Sequence, residues 1–129
     1  MARIQKFEEI EAWQGGRQLA KSVYGITSVG KFSKDFGLRD QIRRAAVSVI
    51  SNIAEGFERG GDQEFLQFLA LSKGSCGELR AQLYVALDQG YITQKEFEPL
   101  VGQAVAVSRM IAGLMRYLRG SELRGSKFK

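Results

Sequence analysis

The sequence has no histidine, one proline and one cysteine among its 129 residues. Without histidine it lacks the commonest general base and metal ligand. This excludes Ser-His-Asp and Cys-His catalysis, HExxH zinc sites and Glu-x-x-His di-iron sites. One cysteine excludes a disulfide scaffold, and one proline excludes a proline-rich linker protein. We therefore expect a protein that is not an enzyme, with no catalytic residue, no metal and no cofactor.

The sequence also lacks a hydrophobic run long enough to span a membrane. Its most apolar window, residues 104–118, is short and is interrupted by Arg109 and Arg116. The first residues lead into Glu8, Glu9 and Glu11 without the apolar segment of a secretion signal. We therefore expect a cytoplasmic protein whose cysteine is reduced.

The remaining composition, 44% hydrophobic and 26% charged, is that of one folded domain with a sizeable core. Apolar residues recur at steps of three and four, which predicts an all-α protein. We predict helices over residues 7–27, 38–59 and 63–89, and a fourth from the Thr93–Glu96 capping box to Gly120. The mostly short connections favour an antiparallel up-down-up-down four-helix bundle over residues 1–119, followed by a basic C-terminal tail, residues 120–129.

Several local features support these helices. Asp62 is a suitable N-cap for the third helix, and the Gly15-Gly16 pair in the first indicates close contact with a neighbour or a bend. The first helix places Trp13 and Tyr24 among its apolar positions. The apolar stripe predicted for the third helix is Phe65, Leu69, Ser72, Cys76, Leu79, Leu83 and Ala86. The stripe predicted for the fourth is Phe97, Leu100, Ala104, Val107, Ile111, Leu114 and Leu118.

The second helix carries a narrow polar stripe beside an unusually wide apolar arc. Val47, Ile50 and Ala54 extend that arc beyond what one bundle face needs. We therefore expect a second subunit to cover it and the chain to form a homo-oligomer. Ser48 and Asn52 need hydrogen-bond partners in mid-helix, and Arg44, Glu55 or Glu78 are candidates. The residues of the polar stripe are Gln41, Arg44, Ser48, Asn52, Glu55 and Arg59, and together with Val47, Ile50, Ala54 and Glu78 they form the predicted oligomer interface.

The net charge of +5 is concentrated at the C-terminal end of the sequence. Residues 116–129 contain five basic residues and one acidic residue, whereas residues 1–115 are nearly balanced. The arginines at the start of the second helix oppose its macrodipole, which indicates either ion pairs with a neighbouring helix or protomer, or a phosphate-facing patch. The candidate nucleic-acid-binding residues are Lys31, Lys34, Arg39, Arg43, Arg44, Arg116, Arg119, Arg124, Lys127 and Lys129.

Three strings in the sequence resemble the 23S rRNA intervening sequence proteins: GLRDQIRRAAVSVISNIAEGFERG, EFLQFLALSKGSCGEL and LDQGYIT. The resemblance covers about residues 7–118. Two departures stand out: Ile50 replaces a usual proline, and residues 30–36 form a longer loop than the family's Phe-Pro. The resemblance implies a bacterial four-helix bundle that assembles as a homo-oligomer, typically a pentamer. Relatives include accessory proteins of diversity-generating retroelements, which bind a reverse transcriptase and nucleic acid.

Two functions are consistent with these features. The first is a non-enzymatic accessory protein that binds RNA, DNA or a ribonucleoprotein, with each basic patch repeated by the oligomer. On this hypothesis binding depends on shape and charge, because the sequence shows no evident exposed aromatic platform for stacking bases. The second is a protein-interaction scaffold without nucleic-acid binding, such as a reverse-transcriptase accessory protein. A peripheral membrane protein is a weaker third hypothesis, based on the moderately amphipathic, basic segment 110–129.

Overall fold

The computed structural model describes residues 4–128, and the side chains of residues 4–120. All regular secondary structure in this part of the chain is helical and none of it is strand, so the predicted all-α four-helix bundle is confirmed. Its elements are two short 3₁₀ helices, η1 (Phe7–Glu9) and η2 (Gly30–Lys34), and four α-helices, α1 (Glu11–Thr27), α2 (Phe36–Glu58), α3 (Asp62–Asp88) and α4 (Gln94–Phe128).

Capping hydrogen bonds and glycines fix the ends of α2, α3 and α4. Asp35 caps α2 by accepting a hydrogen bond from the Leu38 N–H at 3.1 Å. Gly60 and Gly90, at φ values of 86° and 74°, follow α2 and α3, because glycine enters the left-handed region without steric cost. The predicted capping box of α4 is confirmed: the Glu96 carboxylate accepts from the Thr93 N–H at 2.8 Å, and the Glu96 N–H donates to Thr93 Oγ1 at 3.2 Å.

Four predicted boundaries are wrong. The first helix is divided, because extended and buried Ile10 separates η1 from α1. The predicted loop of residues 28–37 contains η2, and α2 begins at Phe36. Gly61, not Asp62, is the N-cap of α3; Asp62 lies in the first turn, where its charge favours the helix dipole. Gly120 lies inside α4, since it lacks the positive φ of Gly60.

The core lies between the four α-helices. Every residue of the stripe predicted for α3 is buried, and so are those predicted for α4 except Leu114, which is partly buried. The core face of α2 is formed by Ile42, Ala45, Ala46, Val49 and Ile53. Periodic apolar positions therefore lie where the helical repeat predicts them.

Glycines set the close approach of α1 to its neighbours. A Cβ at Gly15 would lie 2.7 Å from Met110 Cε of α4, and one at Gly16 would lie 2.7 Å from Ile50 Cγ2 of α2. Both distances are shorter than a van der Waals contact. The close contact predicted for this pair is confirmed, and it holds α1 against both α2 and α4.

Candidate nucleic-acid interface

Arg43 joins the start of α2 to the end of α1. Its Nε donates to Thr27 Oγ1 at 2.8 Å and its Nη2 donates to Ser28 Oγ at 3.1 Å. Its guanidinium carbon lies 4.6 Å from the centroid of the Tyr24 ring. Arg43 lies two turns into α2, beyond the first turn in which the dipole of that helix acts, and its charge lies at the C-terminus of α1, where a cation is favoured. Arg43 is therefore held by neutral partners on the neighbouring helix and not by a carboxylate.

An open groove of about 510 Å³ lies beside this arginine. Arg44 also lines the groove; it is exposed and forms no ion pair with the side chains of residues 4–120. Asp40 is the acidic lining residue, and its carboxylate pairs with Arg39 at 3.0 Å. The groove is therefore a cationic surface. Its lining residues are Tyr24, Asp40, Arg43, Arg44, Val47, Ser48 and Ser51.

The other predicted cations at this end of the bundle differ in their surroundings. Arg39 donates to Asp40 and to the Ser33 carbonyl at 3.1 Å, and its guanidinium carbon lies 4.7 Å from the Phe36 ring centroid. These contacts give it a structural role in holding η2. Lys31 and Lys34 are exposed on η2 itself. The structure thus brings the predicted cations of residues 31–44 to one end of the bundle. Arg39 pairs with a carboxylate, Arg43 is held by neutral groups, and the other three are exposed.

η2 is anchored to the connection between α3 and α4. Phe32 is fully buried, and its ring centroid lies 5.4 Å from that of Tyr91. The Tyr91 hydroxyl donates to Asp35 Oδ2 at 2.9 Å. The hydrogen bonds from Leu38 N–H and from Tyr91 hold the pKa of Asp35 below its ordinary value, and the same contact with Asp35 raises the pKa of Tyr91. Lys31 and Lys34 are therefore presented by a fixed segment.

The cations predicted on the fourth helix do not join this end. Arg116 and Arg119 are exposed on α4. Gly15 faces Met110 of α4 and Gly16 faces Ile50 of α2, so these residues lie at one height of the bundle. From that height α4 runs away from its contact with α3, where Phe97 meets Tyr84. At 1.5 Å per residue, Arg43 and Arg116 lie on opposite sides of that height, about 20 Å apart along the bundle. The side chains of Arg124, Lys127 and Lys129 lie outside the described residues.

The polar stripe of α2 has other partners than those predicted. Asn52 Nδ2 donates to the carbonyl and to the Oγ of Ser48, both at 2.9 Å. Ser75 Oγ of α3 donates to Ser48 Oγ at 2.9 Å. Glu55 instead pairs with Arg59 at 2.9 Å, one turn along α2. The expected network with Arg44, Glu55 or Glu78 is therefore wrong, because α3 presents a serine at this height.

The predicted oligomer interface divides into covered and uncovered positions. Ile50 packs toward Gly16, so α1 of the same chain supplies part of its cover. Ala54 is half-buried, whereas Val47 is 38% exposed. Gln41, Arg44, Glu55, Arg59 and Glu78 are also exposed. The apolar arc left uncovered on α2 is thus narrower than the sequence suggests.

The surroundings of three residues were not identified from the sequence. Tyr24 was placed on the apolar face of the first helix, but its side chain is 43% exposed beside Arg43. Phe36 is 63% exposed beside Arg39, an exposed aromatic side chain that was not evident from the sequence. Gln82 is buried, and its Oε1 has no partner among the described residues. Of these three, only the exposure of Tyr24 could have been predicted from the sequence, because the hydroxyl of a tyrosine favours partial exposure.

Within residues 4–128, none of the helices combines the length and the apolar character needed to cross a membrane.

Comparison with known proteins places the chain among helical bundles. A family model described as 23S rRNA-intervening sequence protein matches residues 8–113. The crystal structure of a protein with unknown function from the S23 ribosomal protein family, from Bacteroides thetaiotaomicron, is 18% identical and superposes with a TM-score of 0.75. The match covers 81% of this chain and 95% of that one, and at this identity it shows the fold alone.

No curated protein matches the sequence. The family model, however, spans most of the chain, including the helix that carries the polar stripe and Arg43. The resemblance seen in the sequence is thereby confirmed. This protein belongs to the 23S rRNA-intervening sequence protein family.

Proposed function

We propose that the protein is a non-enzymatic accessory protein of the cytoplasm that binds RNA or a ribonucleoprotein. In this proposal its four helices run antiparallel, up-down-up-down, and the chain assembles as a homo-oligomer, with a pentamer favoured. The observation that carries the proposal is the groove beside α2. It presents two consecutive arginines, Arg43 and Arg44, and neither forms an ion pair with the described side chains.

Charge and repetition support this function. Phosphate contacts supply most of the affinity in sequence-independent RNA binding, and cationic side chains held in place lose little entropy on binding. Arg43 is held by two hydrogen bonds and by Tyr24, which leaves three of its five N–H donors for a ligand. In an oligomer each copy adds one groove, so weak contacts combine into useful affinity.

The proposal is tested by fluorescence anisotropy with a labelled RNA over a series of salt concentrations. We expect affinity that falls as salt rises, and a smaller salt dependence for Arg44→Glu. The matched control is Arg109→Glu, which makes the same charge change on α4, outside the groove. A triple glutamine variant of Arg124, Lys127 and Lys129 measures the contribution of the C-terminal segment.

Three results would contradict the proposal. One is the absence of RNA binding at low salt, and another is binding that does not change with salt. The third is equal loss of affinity in Arg44→Glu and Arg109→Glu, which would remove the groove from the interface. Light scattering gives the mass of the assembly in units of the 14.4 kDa chain, and a stable monomer would overturn the oligomer.

A second candidate function is a protein-interaction scaffold, such as an accessory protein of a reverse transcriptase. It is favoured by exposed apolar side chains on α3: Leu71, at 58% exposed, and Val85 lie on one side of that helix because they are fourteen residues apart. Replacing both with lysine tests it. Loss of reverse-transcriptase capture with RNA affinity unchanged favours the scaffold, whereas retained capture excludes this surface.

A further inference from the structure

The groove contains a pair of an aromatic ring and a guanidinium that charge alone does not require. Tyr24 is exposed on α1, and the Arg43 guanidinium lies over its ring, 4.6 Å from the centroid. The hydrogen bonds to Thr27 and Ser28 prevent the guanidinium from turning away. Both residues line the groove, so a ligand there meets an aromatic ring and a fixed guanidinium together.

Such a pair suits a nucleobase. Unpaired RNA bases stack on aromatic rings and on arginine planes, whereas the bases of a duplex are already stacked on one another and are not available. Val47 adds an apolar wall, and the Ser51 side chain adds a hydroxyl that donates or accepts.

The charges fix where a phosphate would lie. Asp40 repels an anion from its side of the groove, although its pairing with Arg39 reduces this effect. Arg44 lies one residue beyond Arg43 and forms no ion pair with the described side chains. The groove thus offers the Tyr24–Arg43 pair to a base and the Arg44 side chain to a phosphate.

We propose that this groove binds one unpaired nucleotide of an RNA strand, with the base stacked on the Tyr24–Arg43 pair and a phosphate on Arg44. This inference rests on the proposed RNA-binding function and makes it more specific. It predicts that the protein prefers single-stranded RNA to duplex RNA. Charge alone would favour the duplex, in which phosphates are denser.

The test compares a labelled single strand with a blunt duplex of the same sequence. Tyr24→Leu removes the ring, and we expect it to weaken single-strand binding about tenfold and to leave duplex binding unchanged. Tyr24→Phe keeps the ring and should bind like the wild type. Tyr117→Leu, which removes an exposed tyrosine of α4 outside the groove, is the matched control.

A second readout does not depend on affinity. 2-Aminopurine placed in the single strand should lose fluorescence on stacking in the wild-type complex, and this quenching should disappear in Tyr24→Leu. Circular dichroism and assembly mass should match the wild type, because Tyr24 is a surface residue.

The outcomes separate the two proposals. If the wild type binds neither RNA, the proposed function itself fails. If the wild type binds RNA but Tyr24→Leu changes nothing, or weakens single strand and duplex equally, only the stacking site is overturned. Displacement of the strand by micromolar AMP would show that the groove takes a free nucleotide, and would overturn the assignment to RNA.

Discussion

Replacing Gly56 with alanine tests how closely α2 and α3 approach each other. A Cβ at this position would lie 2.6 Å from Phe68 Cβ and 3.0 Å from Phe65 Cδ1. Carbon atoms in contact are about 3.5–4.0 Å apart. The Phe68 Cβ is fixed to its backbone, so no change of rotamer relieves the overlap. The two helices would have to separate by about 1 Å at this point.

The expected change in the free energy of unfolding is the difference between two opposing effects. Alanine in place of glycine inside a helix stabilises by about 1 kcal/mol. Overpacking a closely fitted interface costs about 1–3 kcal/mol, and the rigid contact places Gly56 in the upper part of that range. We expect Gly56→Ala to lower the free energy of unfolding by about 1–2 kcal/mol. Gly102→Ala is the matched control, because a Cβ there meets no atom within 4 Å and should raise stability by about 1 kcal/mol.

The assay is urea unfolding followed by circular dichroism at 222 nm. Each variant is measured at two protein concentrations, since association of copies would make the midpoint depend on concentration. The two alanine substitutions should change stability in opposite directions. A Gly56→Ala variant as stable as Gly102→Ala would refute the close approach of α2 to α3.

Three further predictions concern buried or bonded polar groups. Because the pKa of Asp35 is lowered in the folded protein, its carboxylate stabilises the fold at pH values above the ordinary pKa. The difference in stability between wild type and Asp35→Ala should therefore shrink as the pH falls below about 4. A difference in urea midpoints that stays constant with pH would contradict this. Gln82→Met should raise the free energy of unfolding by about 1 kcal/mol, because Gln82 Oε1 is buried without a partner; lower stability would show that this oxygen is bonded in the assembly. Burial raises the pKa of Cys76 to about 11, so its thiol should react with Ellman's reagent at pH 8 only after unfolding, and rapid reaction of the native protein would place it at the surface.

The helix count and the core stripes were predictable because helical periodicity is a local property. The residues at spacings of three and four on α3, from Phe65 to Ala86, had to share one face whichever helix covered them. The Thr93–Glu96 capping box was predictable for the same reason, since its hydrogen bonds join residues three positions apart. The end of α4 was not, because a glycine stops a helix only when its φ becomes positive, and Gly120 keeps helical geometry.

The sequence by itself determined four amphipathic helices, their buried stripes and a cluster of cations at the start of α2. Only the tertiary structure decided the partners of each surface side chain. Arg43 meets Thr27 and Tyr24 because the end of α1 lies beside it, and Ile50 is covered because Gly16 lets α1 come close. The physical reason is that the spacing of residues along one helix fixes the direction of each side chain around the helix axis. The height at which two helices meet depends instead on packing between residues far apart in the chain.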